Sequence, residues 1–96
     1  MKHLAKIELV GRVGIANEHI VGNERIVRFS LGVDDVYRGG AGAVVKTTWF
    51  SCSYWGNVEI DKGQEIHLEG KMSGETYTDA DGKNRQCLEV KVTRIW

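Results

Sequence analysis

Proline is absent from the 96 residues, so turns must be built from Gly, Asn and Asp. Net charge is absent too: 13 cationic side chains balance 13 acidic ones, with neither a polybasic run nor an acidic tail. That balance argues against a partner held mainly by bulk electrostatics, although a local basic strip stays compatible with it. Cysteine is scarce. Cys52 and Cys87 read as small buried hydrophobes of a reducing compartment, with a disulfide as the alternative. Neither CxxC nor HxxxH spacing occurs, and His3, His19 and His67 are scattered, so no metal site is expected. Apolar runs are only a few residues long, and the N-terminus lacks the apolar stretch of a signal peptide. A single cytoplasmic domain without membrane contact is the expectation.

No useful stretch shows helical periodicity; apolar residues alternate instead. A first run spans Leu4 to Val13, with Ile7 and Leu9 on one parity and Lys6, Glu8 and Arg12 on the other. Gly11 and Gly14 suggest a bend or bulge of the kind that closes small barrels. Val21-Gly22-Asn23-Glu24 reads as a turn. A second run spans Arg25 to Asp34, a third about Val45 to Trp55, a fourth Gln64 to Ser73 and a fifth Gln86 to Trp96. Two flexible loops are expected, Asp35 to Val44 and Gly74 to Arg85, the second carrying the turn signal Asp81-Gly82. Five strands with bulge glycines predict an all-β, five-stranded OB-fold barrel.

Candidate chemistry motifs fail on their spacing. Asp79-Ala80-Asp81-Gly82 resembles the start of a calcium loop, but Asn84 stands where the sixth-position glycine belongs, so a hairpin turn is expected. Gly39-Gly40-Ala41-Gly42 is not followed by Gly-Lys-Ser/Thr and reads as a mobile loop. Asp34 and Asp35 point to opposite faces when extended and make a poor acid–base pair. No nucleophile motif surrounds a serine or histidine. No catalytic residue, metal or cofactor is expected, and the chain does not read as an enzyme.

The segment Thr48-Trp49-Phe50-Ser51-Cys52-Ser53-Tyr54-Trp55-Gly56 carries the strongest signal. As a strand it places Trp49, Ser51, Ser53 and Trp55 on one face and Phe50, Cys52 and Tyr54 on the other. Two indoles separated by small hydroxyls make a poor core and a good stacking platform for flat rings. Tyr37 and Tyr77 stand in the two loops, where nothing compels burial. Arg28, Lys46, Lys71 and Arg85 fall at outward or loop positions. The alternative is that the rings cap the barrel ends and the charges are ordinary solvated surface.

Almost the whole chain resembles bacterial single-stranded DNA-binding proteins of the homo-oligomeric OB-fold type. Ile7-Glu8-Leu9-Val10-Gly11-Arg12-Val13-Gly14 is similar to that family's first strand, and Val27-Arg28-Phe29-Ser30-Leu31-Gly32-Val33 to its second. The Trp49 segment resembles the third, Lys62-Gly63-Gln64-Glu65-Ile66-His67-Leu68-Glu69-Gly70 the fourth, and Tyr77-Thr78-Asp79-Ala80-Asp81-Gly82-Lys83 the last hairpin. The resemblance implies base stacking on Tyr37, Trp49, Trp55 and Tyr77. Phosphate contacts are then expected from Arg28, Lys46, Lys71 and Arg85, with Lys6 and Arg12 as further candidates. It also implies a homotetramer, or as second choice a dimer, with first strands pairing near Ile7 and Leu9, serving replication, recombination and repair in a bacterial cytoplasm.

Three departures qualify the resemblance. Asn57 to Lys62 leaves room for about one helical turn where the family has a longer helix, so the helix between strands 3 and 4 is expected to be short or missing. The stretch before Tyr77, from Lys71 to Thr76, holds one cation and one acid. The chain ends at Trp96, without the family's acidic tail, so it reads as a natural short form or a truncated domain, and tail-mediated partners are not expected. Alternatives are a primosomal-type dimeric OB protein bridging partners, and an OB interaction module without DNA binding.

Overall fold

The computed structural model describes residues 5–40 and 42–96, without the side chains of residues 74–77 and 84–87. Five strands, β1 (Lys6–Val21), β2 (Glu24–Gly39), β3 (Gly42–Trp55), β4 (Glu65–Thr78) and β5 (Asn84–Ile95), close a barrel in the order β1-β2-β3-β5-β4. All neighbours are antiparallel except β3 and β5, which run parallel through Ser51↔Glu89, Cys52↔Val90 and Ser53↔Lys91. β1 pairs with β4 over Lys6–Arg12 and with β2 over Arg12–Val21, and its register shifts between Val13 and Ala16. The bulge therefore falls at Gly14-Ile15, at the second of the two glycines the sequence suggests, and lets one strand serve both sides of the closure.

Alternation decides the core. Val27, Phe29 and Leu31 of β2, Phe50 and Cys52 of β3, Ile66 and Leu68 of β4, and Val90 and Val92 of β5 are buried together with Leu9 and Val13. Each such aliphatic or aromatic side chain contributes about 1.5–3 kcal/mol when fully withdrawn from water. Gly70 has a separate packing duty. A Cβ there would lie 2.5 Å from the Lys91 carbonyl oxygen, beside the register shift that brings β4 onto β5.

The two expected loops need correction. The segments read as flexible loops are largely strand. The β2–β3 ladder continues from Asp34↔Thr47 to Gly39↔Gly42, and the β4–β5 ladder reaches Thr78↔Asn84. Val36, Val44 and Val45 supply the β-branched side chains that favour extension, and the glycines are confined to the tip. The arm beyond Gly32↔Trp49 is about 23 Å long at 3.3 Å per residue. In the second hairpin, Asp79 Oδ1 accepts hydrogen bonds from the Asp81 and Lys83 amides, both at 3.0 Å. Asp79-Ala80-Asp81-Gly82 is thus a turn, as expected.

No helix forms between β3 and β4. Residues 57–61 run as an irregular strap whose Val58 and Ile60 pack against the core. The strap is pinned where the Gly63 amide donates to the Val13 carbonyl (2.8 Å) and the Val13 amide donates to the Gln64 carbonyl (2.9 Å). Two apolar side chains thus do the closing for which the segment is too short to use a helix.

Candidate nucleic-acid interface

Trp49 and Trp55 lie on the outer face of β3 with 56% and 48% of their surface exposed, whereas Phe50 and Cys52 between them are buried. The two indoles stand six positions apart, about 20 Å along the strand. Trp49 lies over a bed of glycine. A Cβ at Gly14 would meet the indole at 2.7 Å, and one at Gly32 would meet it at 3.0 Å. Both neighbours must lack side chains for the ring to lie down on the sheet.

Between the indoles the sheet carries ordered rows of side chains. Asn17, Arg28, Ser53, Lys91 and Lys71 are successive register partners across β1, β2, β3, β5 and β4. One step along the strands, Ser30, Ser51, Glu89 and Ser73 form a second row. A groove of about 560 Å³ follows these rows, floored by Phe29, Cys52 and Val90 and edged by Trp55, Arg28 and Lys91. Burial pushes the Cys52 thiol up to about 12, so on the core side of β3 it stays a neutral thiol rather than a reactive thiolate.

The expected cations separate into groups. Arg28 lines the groove, Lys71 is in register with Lys91, and Arg12 is in register with Gly32, the cross-strand partner of Trp49. Lys6 is engaged by Glu69 at 3.0 Å. Lys46 stands opposite Asp35 on the hairpin arm. Tyr37 is 53% exposed and pairs with Val44, which by alternation puts it on the ribbon face opposite to that of Trp49. The side chains of Tyr77 and Arg85 lie outside the described residues; their backbones are cross-strand partners.

Lys91, Glu89, Asn17 and Ser73 join the groove without having been singled out from the sequence. Outward alternation on β5 marks Glu89 and Lys91, but only the parallel β3–β5 contact brings them beside Ser51 and Ser53. The third tryptophan differs from the other two. Trp96 stacks on His67 at 4.0 Å between centroids, the Arg94 guanidinium lies 4.6 Å from its ring centre, and His67 Nε2 is 2.6 Å from Glu8 Oε1.

A second groove of about 400 Å³ beside the strap presents Glu18, Glu59, Asp61 and Arg25. Arg25 is bound to Glu18, Nη2 donating at 2.9 Å, with Nε 2.7 Å from the other carboxylate oxygen but misaligned for a hydrogen bond. These carboxylates border the Trp55 end of the sheet, because the strap follows Trp55 directly, the Gly56 amide donates to the Arg25 carbonyl (2.9 Å) and Asn17 lines both grooves.

Comparison with known proteins gives the family and the fold. A model of the single-strand binding protein family matches residues 4–96. The mitochondrial single-stranded DNA-binding protein of Danio rerio is 27% identical over 98% of this chain and 75% of its own length; that of Pongo abelii is 28% identical over 98% and 74%. Among solved structures, a small single-stranded DNA-binding protein from Streptomyces coelicolor superposes with a TM-score of 0.82 at 18% identity, covering 99% of this chain and 94% of that one. The Plasmodium falciparum protein solved in complex with single-stranded DNA superposes with a TM-score of 0.76 at 23% identity, covering 97% and 90%.

Proposed function

The chain belongs to the single-strand binding protein family, and on that premise we propose that it binds and protects single-stranded DNA without requiring a particular sequence, as a binder and not a catalyst. The observation carrying this reading is the exposed indole pair on one strand face, with Arg28 and Lys91 between them. Every unpaired base has a π face, so stacking on Trp49 and Trp55 tolerates any sequence and contributes about 1–3 kcal/mol per base. A duplex hides those faces and cannot use the platform. Arg28, Lys91 and Lys71 take phosphates, and Arg12 extends the path beside Trp49. Tyr37, Lys46, Tyr77 and Arg85 act from the two hairpin arms, whereas Lys6 contributes little because Glu69 already holds it.

The proposal includes assembly into a homotetramer, with a dimer as second choice. Its support is the edge of β1: the ladder to β2 begins only at Arg12, so the β2-side edge of residues 6–11 has no strand partner among the described residues, and Val10 is exposed there. Several subunits sharing one strand would multiply individually weak contacts. The biological setting proposed is replication, recombination and repair in a bacterial cytoplasm.

The test is fluorescence anisotropy with labelled oligo-dT and with a duplex of equal length. Tight binding of oligo-dT and weak binding of the duplex are expected. Equal affinity for both would refute the stacking platform.

A further inference from the structure

Glu89 is the one carboxylate among the described residues lining the groove, which otherwise offers cations, hydroxyls and an indole. It is exposed, and among the described residues no hydrogen bond or ion pair engages it. Its register neighbours are Ser51 on β3 and Ser73 on β4. Lys91, two residues along the same face, lies about 6.6 Å further up the strand and belongs to the row of Arg28 and Lys71. The groove is thus divided lengthwise, with the cations on one row and a single carboxylate between hydroxyls on the next.

A phosphate settles on the cationic row and is repelled from Glu89. A nucleotide held that way can turn its sugar and base toward the Glu89 row. A carboxylate there only accepts hydrogen bonds. It matches the exocyclic amino groups of cytosine, adenine and guanine, whereas thymine offers it only the N3–H, flanked by two carbonyl oxygens that repel a carboxylate.

Resting on the single-strand reading, we infer that Glu89 is a base-reading residue: it accepts from exocyclic amines and gives amine-bearing strands an advantage over thymine strands, superimposed on sequence-tolerant stacking. Glutamine has the same shape but adds a donor that thymine O4 can use, so Glu89→Gln isolates the effect.

Affinities of the wild-type chain and of Glu89→Gln for oligo-dC and oligo-dT of equal length, at one salt concentration, test the inference. The variant is expected to shift the dC/dT affinity ratio toward dT by about fivefold or more, the lower end of what one good base contact is worth. An equal gain for both strands would make Glu89 a merely repelling surface charge and overturn the inference, as would no change. Failure of the wild-type chain to bind either strand would overturn the single-strand reading itself and this inference with it.

Discussion

At the scale of single residues, the two indoles carry the account. Trp49→Ala is expected to weaken oligo-dT binding by about 1–3 kcal/mol whatever the base composition, with an unchanged circular dichroism spectrum. Gly14→Ala leaves Trp49 in place chemically but drives a methyl group into its ring, since the new Cβ would lie 2.7 Å from the indole. That variant should lose a comparable share of affinity and shift the Trp49 emission; retained affinity would show that the ring need not lie against the sheet. Cys52 gives a pH test. Its thiol is raised by burial to about 12, so the folded state holds the proton more tightly than the unfolded chain. The stability this contributes is fully present below the ordinary thiol range and is lost as pH rises toward about 12. At pH 8 Cys52 should resist alkylation until denaturant is added, as mass spectrometry of the Cys52 peptide would record.

At the scale of elements, alternation was legible and non-local pairing was not. Placing Trp49 and Trp55 opposite Phe50 and Cys52 needs only the period of a strand. Lys91 and Glu89 could be marked as outward-facing but not assigned to the groove, because the parallel β3–β5 contact joins residues far apart in sequence. The capture of Lys6 by Glu69 depends likewise on the β1–β4 register. The hairpin arm was obscured by Gly39-Gly40-Ala41-Gly42, whose flexibility outweighed the strand signal of Val36, Val44 and Val45. The bulge beside Gly14 was readable as one of two sites, since Gly11 and Gly14 both interrupt the alternating run, and only the register shift between Val13 and Ala16 separates them. Gly70→Ala probes the closure itself. Its Cβ would press on the Lys91 carbonyl, so a loss of about 1–3 kcal/mol in chemical denaturation is expected, together with weaker binding as Lys91 moves. Unchanged stability would mean that β4 and β5 can slide apart freely at this point.

At the scale of the whole molecule, zero net charge sets the character of the interaction. Only a few cations, chiefly Arg28, Lys91 and Lys71, face the path, and the carboxylates Glu18, Glu59 and Asp61 border it beside the strap. Each phosphate contact on a single strand adds roughly 0.7 to the salt slope, so a slope near 2 in magnitude per subunit is expected for oligo-dT. A slope several times steeper would transfer the binding from rings to charges. The third indole permits a direct reading of the platform. Trp96 is held between His67 and Arg94, away from the groove, so its emission should ignore DNA. The decisive measurement is a tryptophan-fluorescence titration of the Trp96→Phe chain with unlabelled oligo-dT, in which only Trp49 and Trp55 report. Strong, saturable quenching is expected, as both exposed rings become covered by bases; an emission that stays constant while anisotropy shows the oligonucleotide bound would contradict stacking on these indoles.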